Sequence, residues 1–79
     1  MRREDWFHPE AVRDRRLDRV RRAIALYRRK HGVGPTHREV AYDAGLTVSE
    51  VGNVLAELRD RDLVTWNHGV PRSLRLVEE

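Results

Sequence analysis

Few side chains in this sequence are of the kinds that catalyse reactions or bind metal ions. The chain has four histidines, one lysine and two serines, and it has no cysteine. Neither Ser49 nor Ser73 lies near a histidine in an arrangement that would activate a nucleophile. The histidines lack the short spacings of a metal site and have no cysteine companions. We therefore expect no enzymatic activity, no metal ion and no cofactor.

A polar segment around residue 50 is better suited to reading the bases of DNA. The candidates for base contact are Thr47, Ser49, Glu50 and Asn53. Asparagine can form two hydrogen bonds with adenine in the major groove, and a carboxylate can accept from the amino group of cytosine. Asn53 is the first candidate, and its small neighbours Gly52 and Ala56 would allow close approach. The alternative is that Asn53 is an ordinary solvated side chain.

Basic side chains elsewhere could hold the phosphate backbone. The candidates are His37, Arg38, His68, Arg72 and Arg75. Arg38 stands near a predicted helix start, and Arg72 stands near the tip of a predicted hairpin, from which basic side chains often reach DNA. The alternative for Arg38 is an ordinary surface position. For Arg72 it is an ion pair with Glu50, Asp60 or Asp62.

The first predicted element is an amphipathic helix that begins at Pro9 or near Leu17. Proline is favoured at the first position of a helix, where its missing N–H is not needed. The apolar stripe of this helix consists of Leu17, Val20, Ile24 and Tyr27. Arg13, Arg16 and Arg22 lie off that stripe, where they could extend a basic surface or face away from it. Gly32, Gly34 and Pro35 end the helix.

Two short helices are predicted next, each introduced by a capping box. Thr36-His37-Arg38-Glu39 and Thr47-Val48-Ser49-Glu50 both place threonine three residues before glutamate. The second helix should run to about Ala44, with Gly45 giving the backbone freedom for a tight turn. The third should start near Val48 and end near Arg61, and its buried stripe consists of Val51, Leu55 and Leu58.

The remaining residues predict a hairpin. Leu63-Val64-Thr65-Trp66 and Ser73-Leu74-Arg75-Leu76-Val77 favour strands, and Asn67-His68-Gly69 favours a turn. The predicted fold class is therefore mostly α with a small β-hairpin, a winged helix-turn-helix of three helices and a two-stranded wing. We expect residues 1–16 to form an arm with a helix extension and residues 17–79 to form the domain.

In this order and spacing the residues resemble the N-terminal DNA-binding domain of LexA-type repressors. The similar segments are Gly32-Val33-Gly34-Pro35-Thr36, Glu39-Val40-Ala41, Gly45-Leu46, and Gly69-Val70-Pro71-Arg72-Ser73-Leu74-Arg75-Leu76. The resemblance covers roughly residues 17–77. It implies a winged helix-turn-helix and sequence-specific binding of duplex DNA by a small transcriptional regulator, a repressor in the family.

Two departures from that family change the expectations. The family continues into a self-cleaving serine-lysine protease domain that also dimerises it, and this sequence ends at Glu79, so we do not expect self-cleavage. Asp62 stands where the family has glycine at the end of the third helix. A left-handed backbone there would be strained, or another exit would replace it.

Charge is distributed unevenly along the 79 residues. Residues 1–31 hold eleven Arg and Lys against five Asp and Glu, a net charge of +6, whereas residues 32–79 hold five against eight, a net charge of −3. A cationic surface suits a polyanion such as DNA, although a charged helix can also be simply well solvated. Without cysteines, a signal peptide or a long apolar run, the sequence predicts a soluble cytoplasmic protein without a membrane partner.

Trp6 and Phe7 are two large apolar side chains in an otherwise polar arm. They need a surface to pack on, either the back of the domain or a second subunit, so a homodimer stays open. Two functions also stay open. The first is duplex DNA binding, and the second is a winged-helix module that binds a protein partner, which explains Glu50 and Asp60 more easily.

Overall fold

The computed structural model describes the backbone of residues 9–78 and the side chains of residues 13–78. Its elements are α1 (Pro9–His31), α2 (His37–Ala44), α3 (Val48–Asp60), β1 (Val64–Thr65) and β2 (Arg75–Leu76). The predicted mostly helical fold with a small β-hairpin is thereby confirmed. Trp6 and Phe7, proposed above as packing residues, lie outside the described residues.

Helix α1 begins at Pro9, the earlier of the two predicted starts. The side chains of Leu17, Val20 and Ile24 are buried, as their spacing predicts. At the other end Gly32 adopts a φ of +77°. Its N–H donates to the carbonyl of Arg28 at 2.8 Å and closes the helix.

Both predicted capping boxes are present. The Thr36 hydroxyl accepts from the N–H of Glu39 at 3.2 Å, and the Glu39 carboxylate accepts from the N–H of Thr36 at 2.8 Å. Thr47 and Glu50 form the same pair of bonds at 3.1 and 2.9 Å. These bonds satisfy amide groups that a helix start leaves without partners, so α2 and α3 begin where the sequence predicts.

A left-handed residue follows both α2 and α3. It is Gly45 directly after α2 and Asp62 two residues after α3. Asp62 has a φ of +58° and donates from its N–H to Arg59 O at 3.0 Å, while the Leu63 N–H donates to Leu58 O at 2.9 Å. This pair of bonds is a Schellman motif. Of the two predicted outcomes at Asp62, the left-handed backbone is therefore the one observed.

The hairpin is shorter than the sequence predicts. Its antiparallel register pairs Val64 with Leu76 and Thr65 with Arg75. Beyond these pairs the two chain segments no longer pair as strands, and the Ser73 hydroxyl forms hydrogen bonds within the loop instead. It accepts from the N–H of Asn67 at 2.9 Å and lies 2.8 Å from the carbonyl oxygen of Val70. Residues 67–73 therefore form a compact loop.

One core joins the helices to the hairpin. Its buried side chains are Leu17, Val20, Ala23, Ile24, Val40, Ala41, Ala44, Val51, Val54, Leu55, Leu58, Val64 and Leu74. They include every residue of the predicted inward faces of α2 and α3, and Leu74 from the hairpin loop is buried with them. Among the described helices none is both long and apolar enough to cross a membrane.

Candidate nucleic-acid interface

The surface of α3 opposite the core presents a row of small polar and apolar side chains. Ser49, Asn53 and Ala56 are exposed at spacings of four and three residues, which places them on one side of the helix. We call these three residues the α3 stripe. Gly52 lies half-buried beside it, and Asp60 follows at its C-terminal end.

The two glutamates of α3 are bonded to basic side chains at the edge of this helix. Oε1 of Glu50 accepts from the N–H of Thr47, and its Oε2 lies 3.0 Å from a guanidinium nitrogen of Arg16. The bonds from the backbone and hydroxyl of Thr47, together with the nearby Arg16, lower the pKa of the Glu50 carboxyl. Each oxygen of Glu50 has one described partner, so the cytosine contact predicted for Glu50 would use the acceptor capacity that remains.

Glu57 occupies the same side of α3 two turns further on. Its Oε1 lies 3.5 Å from Nε of Arg13 and accepts from Arg61 at 3.1 Å. Arg13 and Arg16 were predicted either to extend a basic surface or to face away. They instead lie against α3, where they offset the two carboxylates.

Helix α2 carries two of the predicted backbone contacts in its first turn. His37 and Arg38 directly follow the cap residue Thr36, and both side chains are exposed. A helix start favours anions because its N–H groups and its dipole point toward them.

Arg72, the strongest of the predicted phosphate contacts, takes part in a cluster with Tyr27 and Glu39. Its Nη1 donates to Glu39 Oε1 at 2.9 Å and to the Tyr27 hydroxyl at 2.6 Å. The Tyr27 hydroxyl in turn donates to Glu39 Oε2 at 2.9 Å. This cluster links the hairpin loop to both α1 and α2.

The ion pair of Arg72 differs from the alternatives considered from the sequence. Glu50, Asp60 and Asp62 are wrong as partners, and Glu39 is the observed one. The reason is the position of the hairpin loop, which lies against the loop between α1 and α2 rather than against α3. There the Gly34 N–H donates to the carbonyl of Arg72 at 3.1 Å.

The cluster holds Glu39 as an anion. The backbone N–H of Thr36 is the largest influence, and with the hydroxyls of Tyr27 and Thr36 and the guanidinium of Arg72 it lowers the pKa of Glu39 to about 2. The hydrogen bond to Glu39 and the negative charge of Glu39 raise the pKa of Arg72 above its usual value. The side chain of Arg72 is nevertheless 41% exposed, so the guanidinium is still in contact with solvent.

The other predicted hairpin contacts, His68 and Arg75, are both exposed, on the loop and on β2. Trp66, at the end of the first predicted strand, packs half-buried against the core. The guanidinium of Arg59 lies over its ring, 4.3 Å from the centroid. Among the described residues no three His, Asp or Glu side chains group to hold a metal ion.

Sequence reasoning missed two features of this surface. It assigned Tyr27 to the apolar stripe and Glu39 to a helix cap without joining them to Arg72, which is 45 residues from Tyr27. It also missed that Leu26 and Tyr42 are exposed on neighbouring helices. A signal was present for Tyr42, because it lies off the inward face formed by Val40 and Ala41.

Comparison with protein-family models, with curated proteins and with solved structures finds no match to this chain.

Proposed function

We propose that this protein binds duplex DNA sequence-specifically as a winged helix-turn-helix transcriptional regulator. In this proposal α2, the turn at Gly45 and α3 form the helix-turn-helix, and the hairpin is the wing. The observation that carries the proposal is the α3 stripe. It leaves a helix surface without a charged side chain from Ser49 to Ala56, while Glu50 and Glu57 are bonded to arginines of α1.

Base readout is assigned to the N-terminal half of α3. Asn53, exposed at the middle of the stripe, has the donor and acceptor that adenine requires in the major groove. Ser49 and the cap residue Thr47 flank it on the N-terminal side. Gly52 supports close approach, because nothing lies within 4 Å of the position where a Cβ would stand.

Contacts with the phosphate backbone are assigned to basic side chains outside α3. Arg38 and His37 lie at the start of α2, and His68, Arg72 and Arg75 lie on the wing. Since Arg72 is bonded to Glu39 and Tyr27, it has two assigned roles. It holds the wing in position, and its solvent-exposed part meets phosphate.

A protein partner is the second candidate function, and one observation favours it. Val48 at the start of α3 and Val70 in the hairpin loop are 47% and 54% exposed, and Asp60 is exposed at the end of the stripe. Exposed apolar side chains are typical of protein contacts, and an exposed carboxylate is unfavourable near the phosphates of DNA.

The experiment that separates these functions is fluorescence anisotropy of a labelled duplex, selected by the protein from genomic fragments, across a range of salt concentrations. We expect the affinity to fall steeply with salt, because binding releases condensed counterions. Arg38→Ala should weaken binding to all sequences and reduce the slope of log affinity against log salt by about 1. Arg29→Ala is the matched control, since it removes the same charge from an exposed position of α1.

Absence of binding at low salt would contradict the DNA assignment and make a protein partner the working function. Equal losses from Arg38→Ala and Arg29→Ala would also contradict it, because they would indicate attraction by net charge rather than an interface at α2.

A further inference from the structure

The side of the molecule formed by α1 and α2 has an apolar groove, of which the DNA-binding proposal uses only Arg38. Leu26 on α1 and Tyr42 on α2 are 55% and 88% exposed, and they line the same depressions between the helices. We call this surface the α1–α2 groove. Large exposed apolar side chains that lie together mark interaction sites more often than isolated ones do.

Basic side chains surround these two apolar residues. Lys30 and Arg38 line one end of the groove, and Arg19 and Arg22 line the other. The acidic residues of the lining are Glu39, whose carboxylate bonds Arg72, and Asp43. The groove therefore suits a segment that combines large apolar side chains with carboxylates.

The chain itself contains such a segment. Glu4-Asp5-Trp6-Phe7 places two carboxylates directly before two aromatic rings, and Arg2-Arg3 precedes it with a charge that could meet Asp43. These residues lie outside the described part of the structure. Their assignment to the groove therefore depends on the chemistry of their side chains and on how far the segment can extend.

The length of α1 decides which copy of the segment can reach Leu26 in the groove. Leu26 lies 17 residues along α1 from Pro9, which at 1.5 Å per residue is about 25 Å. Trp6 and Phe7 precede Pro9 by three and two residues, and fully extended chain covers only about 7–11 Å in that distance. Within one chain the aromatic pair falls far short of Leu26.

We propose that the segment Glu4-Asp5-Trp6-Phe7 of a second copy of this chain occupies the α1–α2 groove, so that two copies exchange their N-terminal arms. The contact is reciprocal, as two-fold symmetry requires. Each aromatic ring that is fully covered buries about 150–250 Å², so the four rings of two arms bury about 800 Å² before the area of the grooves is added. The interface then lies near the lower end of the range for specific protein interfaces.

The first test is sedimentation equilibrium of the full chain and of three variants. We expect the wild type to dimerise, and Leu26→Asp and Trp6→Ala each to raise the dimer dissociation constant at least tenfold. Val77→Asp is the matched control, because Val77 is a 44% exposed apolar residue outside the groove, and it should leave dimerisation unchanged.

A wild-type chain that stays monomeric at millimolar concentration would overturn the proposal and leave the groove to a foreign partner. A dimer that Leu26→Asp disrupts but Trp6→Ala does not would overturn it too, since another surface would then fill the groove. A dimer that Trp6→Ala disrupts but Leu26→Asp does not would also overturn the proposal.

Cysteine cross-linking provides the second test, and the chain has no native cysteine to interfere. His8→Cys chains mixed with Asp43→Cys chains should form a disulfide-linked heterodimer under mild oxidation, because these positions adjoin the contact and leave its aromatic and apolar side chains in place. His8→Cys mixed with Val77→Cys should not. Equal cross-linking in the two mixtures would overturn the proposal. This result does not depend on the stability of the variants used in the first test.

Discussion

At the scale of single residues, Gly34 determines how closely the hairpin approaches the helices. Its N–H donates to the carbonyl of Arg72, and a Cβ on Gly34 would overlap the carbonyl oxygen of Leu74. Arg72 has a φ of +58°, which is unfavourable for a side chain larger than glycine. The close approach at Gly34 and the left-handed backbone of Arg72 are therefore both part of the contact between the hairpin loop and the loop that joins α1 and α2.

We expect Gly34→Ala to destabilise the fold by about 1–3 kcal/mol, because the added methyl group has no room and the hairpin loop must move. Chemical denaturation measures this change. Gly52→Ala is the control, since nothing lies within 4 Å of its Cβ position and alanine favours a helix by about 1 kcal/mol over glycine. Equal stability of Gly34→Ala and the wild type would contradict the contact described here.

The residue scale also shows what sequence can and cannot predict. The caps at Thr36 and Thr47 were predictable because each depends on two residues three positions apart. The φ of Arg72 was not, because it depends on a contact with Gly34, which is 38 positions away. Asp62 is intermediate, since aspartate tolerates the left-handed region better than most side chains.

At the scale of elements, the cluster of Tyr27, Glu39 and Arg72 joins α1, α2 and the hairpin loop through side-chain hydrogen bonds. The ionised carboxylate of Glu39 stabilises the folded state, because the pKa of Glu39 is lowered from 4.5 to about 2. A carboxyl whose pKa is lower in the folded state stabilises the fold above its unfolded pKa. That contribution is lost as the pH falls through the folded pKa.

We therefore expect the free energy of unfolding to fall as the pH is lowered from about 4.5 to about 2. Glu39→Gln keeps the shape and the capping ability of the side chain but removes its titration. The variant should be less stable than the wild type at pH 7 and should lose less stability on acidification. Denaturation curves across this range measure both effects.

Glu50→Gln serves as the companion variant, because the pKa of Glu50 is also lowered but Glu50 contacts α1 rather than the hairpin. It should remove a separate part of the acid dependence. If Glu39→Gln loses stability with acid as steeply as the wild type does, the cluster does not stabilise the fold in the way described.

The elements themselves were largely predictable, and their mutual positions were not. Periodicity identified the buried stripes of α1 and α3, because one apolar core must receive them. The strand lengths were overestimated, since the apolar alternation of residues 73–77 does not reveal that the Ser73 hydroxyl bonds within the loop. The partner of Arg72 depends on how the hairpin packs, which local patterns do not encode.

At the scale of the whole molecule, the uneven charge of the sequence is partly compensated in the fold. Residues 1–31 are basic and residues 32–79 are acidic, yet Arg13 and Arg16 lie against Glu57 and Glu50. The net charge of −3 on residues 32–79 is unfavourable for binding a polyanion. The ion pairs reduce this effect at α3, because they offset the two glutamates beside the uncharged α3 stripe.

The two proposals also use different surfaces. DNA is assigned to α3, the start of α2 and the wing, whereas the second copy is assigned to the α1–α2 groove. Arg38 borders both surfaces, so Arg38→Ala alone does not separate them. Leu26→Asp tests the dimer and Asn53→Ala tests the DNA contact, because each residue lies on one surface only.

The most direct test of the DNA proposal is the affinity of wild type and Asn53→Ala for the selected duplex and for a scrambled duplex of the same composition. We expect the wild type to prefer the selected duplex, and Asn53→Ala to lose about 1–3 kcal/mol on it while binding the scrambled one almost unchanged. Asn67→Ala, in the exposed hairpin loop, is the matched control and should keep the preference. A preference that survives Asn53→Ala intact would contradict the claim that the α3 stripe reads DNA.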